Sequence, residues 1–259
     1  MGSMAVDRIE TAHIMRVLEP IWTTKAETAS RLRGRIESIL SWAAVRKFRS
    51  GENPARWKGH LDSLLPARKK IARVQHHAAL PWQEMSGFMA ELKDQSGVGA
   101  LALQFTILTA ARSGEVRGMT WDEVSLDDAV WIIPGARMKA GRDHRVPLST
   151  HAKAILTTME ELKLDDTNVV FPGVRDHKPL SDMTLTAVLK RMERADITVH
   201  GFRSTFRDWA AEVTHYPREM AEMALAHTVS DQVEAAYRRG DMFEKRRKMM
   251  ADWDAFCHV

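Results

Sequence analysis

The 259-residue chain contains a single cysteine, Cys257, and this scarcity limits its chemistry. One thiol forms no disulfide within the chain and supplies no cysteine-based zinc site. Sparse cysteine is typical of proteins that work in a reducing compartment. We therefore expect a cytoplasmic protein, and we assign Cys257 no role.

Long apolar runs are also missing. The longest stretch, residues 98–111, is interrupted by Gly99, Gln104 and Thr106, so it is too short and too polar to span a bilayer. The chain does not open with a basic segment, an apolar run and a small-residue cleavage site, which excludes a recognisable secretory signal. Residues 1–4 read as a cloning remnant. We expect no membrane partner.

The sequence offers little for a metal or a nucleotide. Three histidines of the second half, His200, His215 and His227, lack the HExxH spacing of zinc enzymes. No tight group of acidic residues indicates a two-metal nuclease, and no GxxxxGK[ST] loop indicates nucleotide hydrolysis. We therefore expect a protein that needs no metal and no cofactor.

Positive charge, by contrast, is concentrated in one segment. The whole chain carries a formal net charge of +4, yet residues 31–74 hold 12 lysines and arginines against three acids. Concentrated positive charge is the electrostatic signature of a protein that binds a polyanion such as DNA. A solvated basic helix face would give the same composition, so both interpretations stay open at this point.

The spacing of apolar residues and the positions of capping residues, glycine and proline predict a mainly α-helical protein with a small β-sheet or hairpin. Residues 1–66 predict a helical domain, with one helix capped by the threonines of Thr23-Thr24-Lys25 and a shorter one at about 56–65 that ends at Pro66. Residues 67–80 predict a basic linker. Residues 81–259 predict a second domain.

Within the second domain, apolar periodicity predicts a series of helices and two short strands. The strands are residues 130–133 and 145–148, joined by a glycine-containing connection that favours a hairpin. The predicted helices are 84–95, 99–111, 150–162, 181–193, 201–213, 218–226, 231–239 and 243–256.

Only two tyrosines can serve as a phenolic nucleophile. Tyr216 precedes Pro217 and is predicted to fix a turn, whereas Tyr237 is followed directly by two arginines. A phenol with its usual pKa of ~10 attacks poorly at neutral pH unless cations and a proton acceptor assist it. A tyrosine on a helix is, however, far more often a packing residue.

Two arginines are candidates for holding a phosphate. Arg203 follows His200 by three residues at a predicted helix start, where both side chains share a face and free backbone amides favour an anion. Arg112 follows an apolar helix and can project into a cleft. Paired guanidiniums suit phosphoryl transfer because they donate planar forks to the non-bridging oxygens. An ordinary surface ion pair is the alternative for Arg112.

Two further side chains have plausible roles at such a site. Lys139 lies between the two predicted strands, where a lysine at a hairpin tip can protonate a leaving oxygen, although a solvated turn lysine is the ordinary interpretation. His227 follows an apolar helix, where a capping or core histidine would be unremarkable.

Taken in order, these residues resemble the active-site series of the tyrosine recombinases, and in particular of prophage and genomic-island integrases. The similarity is carried by Thr109-Ala-Ala-Arg-Ser-Gly-Glu-Val-Arg-Gly-Met-Thr-Trp121, Met138-Lys-Ala-Gly-Arg-Asp-His-Arg-Val-Pro-Leu-Ser149, His200-Gly-Phe-Arg203, Leu225-Ala-His227 and Ala235-Ala-Tyr-Arg238. One HxxR motif is weak, but six ordered positions with these surroundings are specific. The resemblance covers about residues 20–259.

The resemblance implies a DNA-cleaving and DNA-rejoining enzyme that works without metal or nucleotide. Tyr237 would attack the scissile phosphate, form a 3′-phosphotyrosine link and free a 5′ hydroxyl. Arg112 and Arg203 would clamp the phosphate oxygens. Lys139 would protonate the leaving 5′ oxygen.

The remaining positions of the series are supporting ones. By the same resemblance, His200 would assist proton transfer at the tyrosine, and His227 would hydrogen-bond the phosphate. Glu115, one turn after Arg112, would orient the catalytic groups.

The resemblance also implies the organisation and the partners. A helical core-binding domain (1–66) and an α+β catalytic domain (81–259) would clamp duplex DNA at an attachment-site core. We expect a homotetramer on DNA and a monomer in solution, with accessory DNA-bending or directionality factors, in the nucleoid of a bacterial host. The candidate DNA-binding residues are Arg31, Arg35, Arg68, Lys69 and Lys70.

The packing of the last helix is left open, and the N-terminal part of the chain departs from the family pattern. The last helix, 243–256, either packs on a neighbouring protomer or on its own domain. Family members usually carry a further N-terminal domain that binds arm-type DNA sites, so we expect the chain to be a truncated form.

Two other functions share much of this pattern. A type IB topoisomerase has the same constellation but relaxes supercoils as a monomer, and the integrase-like segments and the tail after Tyr237 argue against it. A non-catalytic DNA-binding protein of the same fold would use the basic segment alone. The intact set of six positions argues against that interpretation.

Overall fold

The computed structural model describes residues 2–67, 71, 77–163, 167–174, 178–227 and 240–259. The chain divides into two compact units, Met1–His76 and His77–Val259. None of the helices in those ranges is long and apolar enough to span a membrane. Four of the sequence candidates, Arg68, Lys69, Lys70 and Tyr237, and the predicted helix 231–239 lie outside the described residues.

The first unit is built on two helices, α1 (Thr11–Trp22) and α2 (Ala26–Val45). α1 buries Ile14, Leu18 and Trp22, one turn apart, because residues four positions apart share a helix face. These side chains form one apolar core with Leu40 of α2. The indole of Trp22 also stacks on that of Trp57, with ring centroids 5.5 Å apart.

Two predictions for this unit are wrong. The threonines do not cap a helix, because α1 runs through Trp22 and α2 begins at Ala26 after Lys25, without a side-chain cap bond. The predicted helix at 56–65 is a series of turns with one 3₁₀ turn, Leu61–Ser63. The chain turns at Gly59, whose φ is +72°, and the carboxylate of Asp62 accepts its backbone N–H.

The second unit contains most of the helices. Its first half has α3 (Met85–Lys93), α4 (Val98–Thr109) and the short α5 (Ser113–Arg117). α4 is apolar on all sides, so it lies in the centre of the core, in contact with helices on several sides. The later helices are α6 (Thr150–Glu161), α7 (Thr184–Arg191), α8 (Phe202–Glu212), α9 (Arg218–Ala224) and α10 (Phe243–Cys257).

A three-stranded antiparallel sheet lies between α5 and α6 in the chain, with strand order β1-β2-β3. The strands are β1 (Val124–Ser125), β2 (Val130–Ile133) and β3 (His144–Pro147). Val130 pairs with Pro147 and Ile133 with His144, which confirms the predicted hairpin. The two-residue β1 carries too short a pattern to be predicted. The predicted fold class, mainly helical with a small sheet, is confirmed.

The last helix, α10, packs on its own unit. The buried indole of Trp253 donates to the carbonyl oxygen of Ile107 in α4 at 3.0 Å. Arg246 is only 1% exposed, and it donates to the carbonyl oxygen of Arg145 in β3 and to Asp241. The sequence left open whether this helix packs on a neighbouring protomer or on its own domain, and in the single chain it packs on its own domain.

Candidate active site

Arg112 is positioned by the end of α4. Ala110 adopts the left-handed conformation (φ 50°) and turns the chain, so that Arg112 immediately precedes α5. The carboxylate of Glu115 accepts the backbone N–H of Arg112 at 2.9 Å and its Nη1 at 2.7 Å. Glu115 is only 8% exposed, so this is a largely buried pair that holds the guanidinium in place.

His227 is positioned by a second left-handed alanine. Ala226 has φ 47°, and the backbone N–H groups of Ala226 and His227 donate to the carbonyls of Met223 and Glu222. This bonding pattern is a Schellman helix end, which usually has glycine at the left-handed position. Arg112 Nη2 lies 3.4 Å from the carbonyl oxygen of Ala226, so both helix ends meet at Arg112.

Arg203 joins the same two helix ends from α8. Nη1 donates to the carbonyl oxygen of Ala110 at 2.5 Å, and Nη2 donates to that of Leu225 at 2.6 Å. Helix C-termini carry partial negative charge, so a guanidinium is stabilised there. Burial lowers the pKa of Arg203 to about 10, with a further contribution from Arg112. Arg203 therefore stays charged at neutral pH.

One donor of this buried guanidinium remains unused. The Nε of Arg203 has no hydrogen-bond partner in the part of the chain that the structure describes, although the residue is only 5% exposed. Leaving a buried charged donor unsatisfied is costly. This atom is also shielded from solvent, so an anion can accept from it only after neighbouring groups move.

His200 lies in the 3₁₀ turn Val199–Gly201 that precedes α8, and its ring is 4.6 Å from that of His77. Partial burial lowers the pKa of His200, and the charge of Arg203 adds to the effect. The next residue must be glycine, because a Cβ on Gly201 would lie 2.1 Å from the carbonyl oxygen of Ala78. The backbone of Ala78 and Ala79 thus packs tightly against this turn.

A cavity of about 310 Å³ lies at this junction of helices. It is lined mainly by basic side chains and contains one carboxylate; the lining residues are His200, Arg203, Ser204, Arg207, Arg218, Glu222, Leu225 and His227. A cavity of this size and charge can accommodate a phosphate group.

The structure brings together five of the residues singled out in the sequence, namely Arg112, Glu115, His200, Arg203 and His227. Lys139 is exposed in the connection between β2 and β3. Of the predicted DNA contacts, Arg31 is exposed and paired with Glu27, and Arg35 is exposed.

Sequence reasoning missed two residues of this site. Glu222 contacts His227, and its position five residues earlier in the chain was the available signal. His144, in β3, is held near Arg112 and Glu115, and burial lowers its pKa to about 4, with Arg246 contributing. The sequence shows His144 inside the lysine segment but does not reveal its burial.

Tyr216 has a partner of its own. Its hydroxyl donates to the carboxylate of Asp252 in α10 at 2.5 Å. Partial burial and this carboxylate raise the pKa of the Tyr216 phenol to about 12. Tyr216 is therefore a poor nucleophile.

One group of side chains among the described residues has the composition of a metal site, His151, Asp254 and His258. The Asp254 carboxylate accepts the backbone N–H of His151 near the start of α6, and it also contacts both imidazoles. The two rings are stacked with an interplanar angle of 15°, so their in-plane lone pairs do not converge on one point. As arranged, the group is a helix cap.

Comparison with known families covers most of the chain. The phage integrase family matches residues 79–243, and the phage integrase central domain matches residues 1–60. Prophage integrase IntZ of Escherichia coli K12 is 32% identical over 98% of this chain and 61% of its own length. Prophage integrase IntA of the same strain is 30% identical over 98% of this chain and 60% of its own length. The chain thus spans about 60% of the length of these relatives.

Solved structures share the fold at low sequence identity. A lambda integrase dimer bound to a COC′ core site has a TM-score of 0.61 at 18% identity, covering 92% of this chain and 82% of that one. The Tn1549 transposon integrase in complex with circular intermediate DNA has a TM-score of 0.63 at 13% identity, covering 96% of this chain and 87% of that one. Together with the family match over residues 79–243, which is more than half of the sequence, the chain belongs to the phage integrase family.

Proposed function

We propose that the chain is the DNA-cleaving and DNA-rejoining part of a site-specific tyrosine recombinase. The observation that carries this proposal is the grouping of the buried Arg203 guanidinium with Arg112, His200 and His227 beside a basic cavity. Such a site binds a phosphodiester and stabilises the charge that its non-bridging oxygens gain during transfer.

In the proposed reaction, the hydroxyl of Tyr237 attacks the scissile phosphate and a 3′-phosphotyrosine bond forms. Arg112 and Arg203 hold the phosphate oxygens, and Glu115 keeps Arg112 in position. Lys139 donates a proton to the leaving 5′ oxygen, and its exposed position in the β2–β3 connection leaves it free to approach DNA. His200 assists the proton transfer at the tyrosine. His227 hydrogen-bonds the phosphate.

The proposed substrate is duplex DNA at an attachment-site core, and the proposed assembly is a homotetramer. The support is a similarity of fold to lambda integrase, which has been seen as a tetramer bound to a Holliday junction (TM-score 0.62, 18% identity). In the first unit, Arg31 and Arg35 are exposed on α2, and Arg31 would exchange its contact with Glu27 for a DNA phosphate. With Arg68, Lys69 and Lys70 they form the proposed DNA-binding set. Accessory DNA-bending or directionality factors complete the proposed set of partners.

The test is covalent trapping on nicked duplexes. We would incubate the protein with a pool of nicked duplexes whose core sequence is randomised, and then detect protein-bound DNA on a denaturing gel. The wild type and Tyr216→Phe should form the adduct, whereas Tyr237→Phe should not. An adduct that survives Tyr237→Phe, or none in the wild type, would contradict the proposal.

The same preparation separates recombination from the topoisomerase alternative. A recombinase should join two duplexes that share the captured core, and it should leave plasmids without that core supercoiled. Relaxation of any plasmid without strand exchange would favour the topoisomerase.

A further inference from the structure

Glu222, on α9, connects three basic side chains at the cavity. Its Oε2 lies 2.5 Å from Nδ1 of His227 and its Oε1 lies 2.7 Å from Nε of Arg207. Arg218 Nε lies 3.8 Å from the same Oε1. The backbone carbonyl of Glu222 also accepts the N–H of His227 at 2.9 Å. One residue thus holds both the backbone and the ring of His227.

These contacts define which nitrogen of His227 carries the proton. Nη2 of Arg203 lies 3.1 Å from Nε2 of His227, and a guanidinium can only donate. Nε2 must therefore accept, so the proton is on Nδ1 and is donated to Glu222. The bond at Nδ1 is what sets the state of the other ring nitrogen.

This arrangement has a consequence for phosphate binding. A neutral ring with its proton on Nδ1 has no proton at Nε2 to give to a phosphate oxygen. For Nε2 to donate to a phosphate oxygen while Nδ1 still donates to Glu222, the contact with Arg203 must open and the ring must hold both protons. The neighbouring cations Arg112, Arg203, Arg207 and Arg218 oppose that proton, as does His200 when protonated, and Glu222 is the carboxylate in contact with the ring.

Glu222 is itself kept ionised. Burial alone raises the pKa of its carboxyl group, but hydrogen bonds from His227 and Arg207 outweigh that effect, and the net pKa lies below its ordinary value. The anion is therefore present at neutral pH, in contact with Nδ1 of His227.

We propose that Glu222 is a positioning residue for phosphate recognition. It fixes the Nδ1–H form of His227, keeps Nε2 directed at the phosphate, and compensates the charge of the doubly protonated ring. This inference rests on the proposed recombinase function, because it assigns the phosphate of a DNA strand to the cavity.

The first measurement reads the ring directly in the DNA-free full chain. Long-range proton–nitrogen correlation spectra of ¹⁵N-histidine-labelled protein distinguish the two neutral tautomers, and the His227 signal is the one that disappears in His227→Gln. The wild type should show the Nδ1–H form. Glu222→Ala removes the acceptor at Nδ1, so the Nε2–H form should gain population as the ring gives up its contact with Arg203. Glu222→Gln should keep Nδ1–H because its amide oxygen still accepts.

The second measurement is the rate of covalent adduct formation with the trapped duplex. Glu222→Ala should slow it by up to roughly 100-fold, the scale of one transition-state interaction, because the ring loses the carboxylate that holds it in place and offsets its charge. Glu222→Gln should also slow adduct formation. Its amide oxygen still accepts from Nδ1, but the negative charge that offsets the ring is lost. Arg207→Gln, which leaves the Glu222–His227 bond in place, should keep the wild-type tautomer. Glu91→Gln removes an exposed carboxylate on α3 and should cleave at the wild-type rate.

Melting temperatures of all variants identify any that fail to fold, and Glu222→Gln, nearly isosteric with the wild type, then carries the test. An Nε2–H ring in the wild type, or a Glu222→Ala ring unchanged from it, overturns the inference. So does a Glu222→Gln chain that forms adduct at the wild-type rate. A wild type with the expected tautomer but no adduct overturns the recombinase proposal and leaves the Glu222–His227 contact established.

Discussion

Arg203 donates a hydrogen bond to the carbonyl oxygen of Ala110, the residue that ends α4 two positions before Arg112. A second N–H of the same guanidinium donates to Leu225, at the end of α9 and two positions before His227. One buried cation thus sets the spacing between the two helix ends that carry the other phosphate-binding candidates.

Arg203→Lys should lower the stability of the chain as well as its cleavage activity. A lysine ammonium lacks the planar fork that bridges two carbonyl groups. We expect the free energy of unfolding to fall by about 2–4 kcal/mol, the scale of losing charged hydrogen bonds in a buried site. Urea unfolding measures the change.

Arg207→Lys is the matched control on the same helix. Its side chain is 43% exposed and paired with Glu222, so we expect a loss below about 1 kcal/mol. Equal losses for the two variants would contradict a bridging role for Arg203.

Gly201→Ala should destabilise the second unit by about 1–3 kcal/mol, the usual cost of overpacking. The new Cβ would lie 2.1 Å from the carbonyl oxygen of Ala78 and 2.8 Å from Cα of Ala79, so backbone has to move. Gly87→Ala, inside α3 with nothing within 4 Å of the new Cβ, should instead gain about 0.5–1 kcal/mol. Thermal unfolding should show a lower melting temperature for Gly201→Ala and a higher one for Gly87→Ala.

His144 should make the protein less stable in mild acid. Burial lowers its folded-state pKa to about 4 from the ordinary 6.5, so below pH 6.5 the unfolded chain binds the proton more readily. The contribution of the neutral His144 to stability is therefore complete above pH 6.5 and is lost as the pH falls toward 4. We expect His144 to account for roughly 2 kcal/mol of the loss between about pH 7 and about pH 5.

His144→Gln removes this titrating group and serves as the reference. Urea unfolding at several pH values should show a smaller acid loss in the variant than in the wild type. Parallel pH profiles would indicate that His144 does not titrate as its partly buried position requires.

Arg112→Ala should reduce adduct formation by about 10²–10³-fold, the scale of removing one donor to the developing charge. Duplex binding should change little, because one phosphate contact among many is lost. Arg35→Ala on α2 should do the reverse, with weaker and less salt-dependent binding but an unchanged rate at saturating DNA. Adduct kinetics and filter binding at several salt concentrations separate the two. Equal loss of both activities in Arg112→Ala would indicate a binding or folding role.

The sequence predicts the elements of the second unit well because their signals are local. α4 is continuously apolar, the strand Val130–Ile133 is rich in β-branched residues, and turn residues separate them. The first unit was predicted less well, since the turn at Gly59 depends on a side-chain contact with Asp62 rather than on a periodic pattern.

The site was predictable only as a set of residues. The order of Arg112, His200, Arg203 and His227 is visible in the sequence, but the carbonyl that Arg203 contacts lies 93 residues away along the chain. The same is true of His144, whose neighbours Arg112 and Arg246 come from distant segments. Such contacts depend on tertiary packing, which composition and periodicity do not encode.

Each unit contains a pair of closely spaced indoles, Trp22 with Trp57 in the first and Trp209 with Trp253 in the second. The centroids are 5.5 Å apart at an interplanar angle of 23° in the first pair, and 5.0 Å apart at 53° in the second. Indoles this close couple excitonically, and the sign and shape of the resulting circular dichroism band depend on the angle between the rings. Replacing one tryptophan of either pair would therefore assign a separate optical signal to each unit, so that the melting of each could be followed within the intact chain.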